Sequence, residues 1–128
     1  MLRAAVAANN PRLTMAKWKL ASAILFKREA DEALEILQPL EADYPDQVEV
    51  VEGIGFAHYI KKDYAKALPY LEKSKGLRPA DTSLLNALGD CYQSLQQPAK
   101  ARESFELSLE LNPGQEGVKS RLASLSDG

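Results

Sequence analysis

"TSLLNALGDCYQSLQQPAKARESFELSLELNPGQ", residues 82–115, holds two helical patterns separated by a short polar turn. In the first, Leu85, Leu88 and Tyr92 follow one another at spacings of three and four, the apolar stripe of an amphipathic helix. In the second, Ala101, Phe105 and Leu109 recur at spacings of four. Pro98 is placed for a first helical turn, where its missing N–H costs nothing. Pro113 ends the pattern. That ending recurs at Pro79, Pro45 and Pro11, each 34 residues from the next. A fixed period of this size marks a chain built by stacking copies of one supersecondary unit.

Three full units follow from the prolines: 14–47, 48–81 and 82–115. The last reads Leu85-x-x-Leu88-Gly89-x-x-Tyr92, then Ala101-x-x-x-Phe105, then Pro113. The middle unit places Val51, Ile54, Gly55, His58, Ala67, Leu71 and Pro79 at the same offsets, and the first places Lys17, Leu20, Ala21, Ile24, Ala33, Leu37 and Pro45 there. This resembles the tetratricopeptide repeat family, whose 34-residue pattern runs large residue, Leu-Gly, Tyr, Ala, Phe, Pro. The resemblance extends over about four-fifths of the chain and holds three units in register. It implies an all-α fold, a right-handed superhelical solenoid of three helix-turn-helix repeats.

The repeated small residues have a physical reason. Glycine inside a helix costs about 1 kcal/mol relative to alanine, so Gly55 and Gly89 in register imply that helix axes must approach closely there. Ala21, Ala33, Ala67 and Ala101 are expected to serve the same packing. Asp46-x-x-Glu49 reads as a capping-box variant, and Asp81 or Thr82 and Asp63 as further caps. Several residues depart from the pattern. Lys17 stands where a bulky residue is usual, with Trp18 beside it, so the first unit is expected to sit slightly rotated. His58 replaces the tyrosine, Leu40, Ser74 and Ser108 replace alanines, and Pro39 and Pro69 fall inside second helices, where each removes a hydrogen bond.

The ends are expected to be helical too. Residues 1–13 are in phase with the tail of a preceding second helix, a partial repeat or an N-terminal cap. Residues 116–128 put Val118, Leu122 and Leu125 on one face, the pattern of a C-terminal capping helix over the last unit.

Composition narrows the function classes. The 128 residues are 45% hydrophobic and 27% charged, ordinary globular values. Sixteen basic and 18 acidic residues, mixed in sign, give a net charge of −2 and no basic footprint for nucleic acid. The single Cys91 excludes an internal disulfide and fits a reducing compartment such as the cytoplasm without establishing one. "MLRAAVAANN" is too short in apolar run for a signal peptide, and no stretch reaches the length of a membrane span, so the reading is a soluble chain with no membrane partner.

Chemistry is sparse. His58, the only histidine, lies on a core stripe, and Cys91 has no histidine near it in sequence. "GIGF" at 53–56 opens no phosphate-binding signature. No catalytic residue, metal ligand set or cofactor is expected, and the chain is not read as an enzyme.

What the resemblance implies instead is a binding surface. In this family the first helices line a concave face that holds peptides or helices. By position, that groove would show Met15, Trp18, Lys19, Ser22, Leu25 and Phe26, then Glu49, Glu52, Phe56, Tyr59 and Ile60, then Ser83, Asn86, Ala87, Asp90 and Gln93. The carboxylate clamp of heat-shock co-chaperones is not among these, because its places hold Trp18, Ser22, Gly53, Ser83 and Ala87. The expected role is therefore a protein–protein interaction module, an adaptor or scaffold. Its partner would carry apolar anchors for Trp18, Phe56 and Tyr59 and basic groups for Glu49, Glu52 and Asp90. Two alternatives remain: a C-terminal repeat appendage of a larger protein, whether or not an enzyme, used for assembly, and self-association through the N-terminal end.

Overall fold

The computed structural model describes residues 10–126. The expected helix in residues 1–9 lies outside them. Seven helices are present among the described residues: α1 (Pro11–Ser22), α2 (Lys27–Asp43), α3 (Val48–Ile60), α4 (Tyr64–Leu77), α5 (Thr82–Ser94), α6 (Pro98–Leu111) and α7 (Glu116–Ser126). Two compact units divide the chain, the first ending at Arg78 and the second beginning at Pro79.

In the first unit α1 packs on α2, α2 on α3, and α3 on α4. Its core is built from small and branched side chains: Leu13, Ala16 and Ala23 from the first segment, Ala33, Leu37 and Leu40 from α2, Val50, Ile54 and Ala57 from α3. Complete burial of a leucine such as Leu37 contributes about 1.5–3 kcal/mol. Pro39 and Pro69 are carried within α2 and α4, which continue through them. His58 is 7% exposed, with its ring 6.3 Å from that of Tyr70. Burial pushes its pKa below the ordinary histidine value.

In the second unit α5 packs on α6 and α6 on α7. Phe105 is fully buried, and a Cβ built on Gly89 would lie 2.4 Å from its ring. That distance is the packing demand behind a mid-helix glycine. At Gly55 the added atom would meet Leu71 at 2.9 Å and Tyr70 Cβ at 3.0 Å. Helix α7 lays Val118 and Leu125 against Ala101 and Phe105, with Leu122, Leu109 and Tyr92 at the margin.

Caps follow the sequence unevenly. Asp81 accepts a hydrogen bond from the Leu84 N–H at 2.9 Å and caps α5. Pro98 opens α6. The Asp46-x-x-Glu49 box does not form: the residue at the cap is Gln47, whose amide donates to Glu49, and Asp46 pairs with Lys73 at 3.1 Å. Asp63 stands at the start of α4 without a side-chain cap bond and pairs with Lys66 at 3.7 Å.

Helices α3 and α5 end in the same way. The N–H of Asp63 donates to His58 O and that of Lys62 to Tyr59 O, while Gln97 donates to Tyr92 O and Gln96 to Gln93 O. These are the two bonds of a Schellman ending, and they place Lys62 at φ 64° and Gln96 at φ 62°. Helix α1 ends otherwise. Leu25 and Phe26 N–H groups both donate to Ser22 O, and no left-handed residue occurs between α1 and α2. Relative to the 34-residue frame, α1 stops about one turn early and α2 starts about one turn early. The first unit is thus altered more than a slight rotation. Ala21, expected in a close helix contact, is exposed, and so is Ile24.

Candidate protein-binding groove

An open groove runs between α1 and α3. Leu13, Lys17, Leu20, Ala21 and Ile24 form one wall of it, and Glu49, Glu52, Phe56, Tyr59 and Ile60 the other. Gly53 and Leu37 lie at its floor, 2.8 Å apart when a Cβ is placed on the glycine. The groove encloses about 540 Å³ and lies wholly within the first unit. Its lining is mainly apolar, with one ammonium on the α1 side and two carboxylates on the α3 side. Phe56 and Tyr59 meet edge to face at 6.1 Å, and Tyr59 meets Tyr64 at 6.0 Å, so the aromatic wall is held from behind.

Not every acid here offers free charge. Glu52 receives the Arg78 guanidinium in a two-pronged pair, Nε donating at 2.8 Å and Nη2 to the second oxygen. Among the described residues, Glu49 accepts only the neutral Gln47 amide. The negative character of this wall therefore rests on Glu49.

Trp18, Lys19 and Ser22 belong to a different surface. Together with Pro11, Met15 and Glu29 they line a shallow hollow of about 470 Å³ on the other side of α1. Lys19 bonds to Glu32 and lies 3.6 Å from Glu29. The bond to Glu32 raises the Lys19 pKa, and the same bond lowers that of Glu32.

In the second unit Asn86, Asp90 and Gln93 are engaged by the last segment of the chain. Asn86 donates to Gln115 Oε1 at 2.9 Å, Arg121 lies 3.4 Å from Asp90, and Gln93 donates to Ser124 at 3.3 Å. Gln115 in turn donates to Ser108 O, Ser108 Oγ and Asn112 O. Helix α7 thus lies along the α5 positions that the sequence assigned to a groove. Of the sixteen residues placed on that face by position, the structure gathers five in the α1–α3 groove (Glu49, Glu52, Phe56, Tyr59 and Ile60). It adds Lys17, Ala21 and Ile24, which the repeat register assigned to the core.

Among the described residues no group of three metal-ligating side chains comes together. Cys91 is buried in α5. Paired antiparallel helices, an open apolar groove and no reactive constellation among the described residues define a helical-repeat interaction module. The repeat itself is recognisable in the sequence: tetratricopeptide repeat profiles match residues 49–81 and 83–115, and the chain belongs to that family of all-α solenoids. No curated protein matches it significantly.

Solved structures agree on the fold. A MamA D159K mutant shares 25% identity at a TM-score of 0.73, over 88% of this chain and 66% of that one. TTC0263, a thermophilic TPR protein of Thermus thermophilus, shares 19% identity at 0.66, over 97% and 69%. PilF of Pseudomonas aeruginosa shares 28% identity at 0.67, over 93% and 55%. The chain thus spans just under two thirds of that MamA chain and about half of PilF.

Proposed function

We propose that this chain binds a segment of a partner protein in the groove between α1 and α3. The observation that carries this reading is the apolar groove itself, with two fixed aromatic rings on one wall and exposed Ala21 and Ile24 on the other. Buried aromatic anchors supply most of the free energy in such contacts, and pockets that hold them are concave and apolar. The walls run over residues 13–24 and 49–60. At 1.5 Å per residue each is about 16 Å long, which accommodates about three turns of a helix. A bound helix would present apolar side chains at i, i+3 or i+4, and i+7. A lysine or arginine of that segment would meet Glu49, whereas Glu52 already has its guanidinium.

Selection from a displayed random-peptide library, followed by calorimetry, tests the reading. The expected binders carry apolar residues at helical spacing with a basic group. They lose affinity for Ala21→Phe, which fills the groove, and for Phe56→Ala, which removes an anchor contact. Binders that keep full affinity for both variants would place recognition elsewhere on the chain.

A further inference from the structure

The charge of the chain is unevenly distributed. Residues 10–28 contain Arg12, Lys17, Lys19, Lys27 and Arg28 and no carboxylate. With 16 basic and 18 acidic residues in all, 11 basic and 18 acidic fall elsewhere, so a stretch of +5 stands against −7 for the remainder. Lys19 and Arg28 are held by Glu32, but Arg12, Lys17 and Lys27 have no carboxylate partner among the described residues.

The same stretch carries most of the exposed large apolar side chains. Met15 is 56% exposed, Trp18 74%, Ile24 79%, Leu25 79% and Phe26 62%. Helix α1 buries Leu13, Ala16 and part of Leu20. At 100° per residue Trp18 falls opposite that stripe, with Met15 beside it, Lys17 on one flank, and Arg12 and the Glu29-paired Lys19 on the other. All five are more than half exposed, and four of them, Met15, Trp18, Leu25 and Phe26, lie outside the α1–α3 groove.

We infer that the outer face of α1 and the turn at residues 23–26 form a docking surface for an anionic lipid bilayer. Charge complementarity argues for it: cationic side chains border exposed tryptophan, leucine and phenylalanine, the composition of a segment that lies in the plane of a membrane interface. The turn decides between lipid and an acidic protein helix. Ile24, Leu25 and Phe26 are consecutive, so their side chains diverge, and one face of a docked helix cannot cover all three. A fluid headgroup–acyl boundary can. Contact is superficial, since no described helix is long and apolar enough to cross a membrane; it departs from the expectation of no membrane partner, which rested on spanning length alone. Trp18, Leu25 and Phe26 do not line the α1–α3 groove, whereas Lys17 and Ile24 do, so the two surfaces adjoin along α1 and are told apart by substitutions at Leu25 and Phe26 against one at Ala21.

Trp18 is the only tryptophan, so its fluorescence reports the contact directly. The full chain would be mixed with vesicles of phosphatidylcholine alone and of phosphatidylcholine with an equal part of phosphatidylglycerol, and recovered by flotation. The inference predicts flotation and a blue shift of Trp18 with the anionic vesicles only, both reversed by salt. Lys17→Ala/Lys27→Ala weakens the partition roughly thirtyfold, the loss expected for two juxtamembrane cations. Leu25→Ser/Phe26→Ser abolishes the shift at unchanged helicity, while Ala21→Phe still floats. Failure of the wild type to float, equal binding to neutral vesicles, or full binding by the Leu25/Phe26 variant would overturn the inference. A Trp18 emission that shifts with protein concentration in the absence of lipid would also overturn it, by making this face a contact between copies. Retention by an acidic amphipathic peptide but not by vesicles would do the same in favour of a protein partner.

Discussion

Adding one methyl group at Gly89 sets two opposed effects against each other. Alanine is preferred over glycine inside a helix by about 1 kcal/mol, and Gly89 lies well within α5. Against this, the new Cβ would lie 2.4, 2.6 and 2.7 Å from three atoms of the Phe105 ring. Those atoms belong to a fully buried side chain, enclosed by Ala101, Val118 and Leu125, and the ring cannot swing into solvent. Overpacking of a tight core costs about 1–3 kcal/mol, and three contacts this short place the cost in the upper half of that range. The net expectation for Gly89→Ala is a loss of about 1–2 kcal/mol, or roughly 4–10 °C in melting temperature. Gly76→Ala is the control, because a Cβ there has nothing within 4 Å and the helix preference acts alone. Urea unfolding followed by circular dichroism would measure both, with Gly89→Ala/Phe105→Leu as a third variant. Removing the ring should make the double substitution less costly than the sum of the singles. If Gly89→Ala proves as stable as Gly76→Ala, the close helix approach is not what the glycine serves.

Other expectations follow from the same geometry. Lys62→Gly and Gln96→Gly should each stabilise by about 0.5–1 kcal/mol in thermal melts, since the left-handed backbone penalty outweighs the glycine entropy cost. Burial depresses the folded-state pKa of His58 below the ordinary histidine value of 6.5, so the unfolded chain takes up the proton first as pH falls. Stability contributed by neutral His58 is complete above that value and lost as pH drops through the folded pKa. His58→Phe should flatten this part of the pH–stability curve in urea titrations. Gln115→Ala removes four hydrogen bonds around Ser108, Asn112 and Asn86 and should cost about 1–3 kcal/mol, with α7 amides exchanging faster.

The periodic positions were legible because each carries a steric demand that repeats with the unit: Gly55 under Leu71, Gly89 under Phe105, Ala101 in the last core. Helix endings were not. Nothing in Lys62 or Gln96 announces a left-handed residue, since the Schellman bonds that impose it run through the backbone. The groove was legible only in part. Phe56 and Tyr59 lie in a unit that keeps the register, and the face assigned to them by position is the one that looks into the α1–α3 groove. Lys17, Ala21 and Ile24 escaped it because the first unit departs from the repeat frame, and these offsets line the groove there instead of a core. Arg78 reaches Glu52 from 26 residues away, and Arg121 reaches Asp90 from the last helix, so the neutralised acids of the expected face show only in three dimensions.

A photo-reactive residue placed at Ala21, compared with one at exposed Glu103 on α6, tests the groove most directly once a selected peptide is in hand. A partner segment in the α1–α3 groove predicts cross-linking from position 21, competed by unlabelled peptide, and none from position 103. Cross-linking from position 103 with none from position 21 would contradict it.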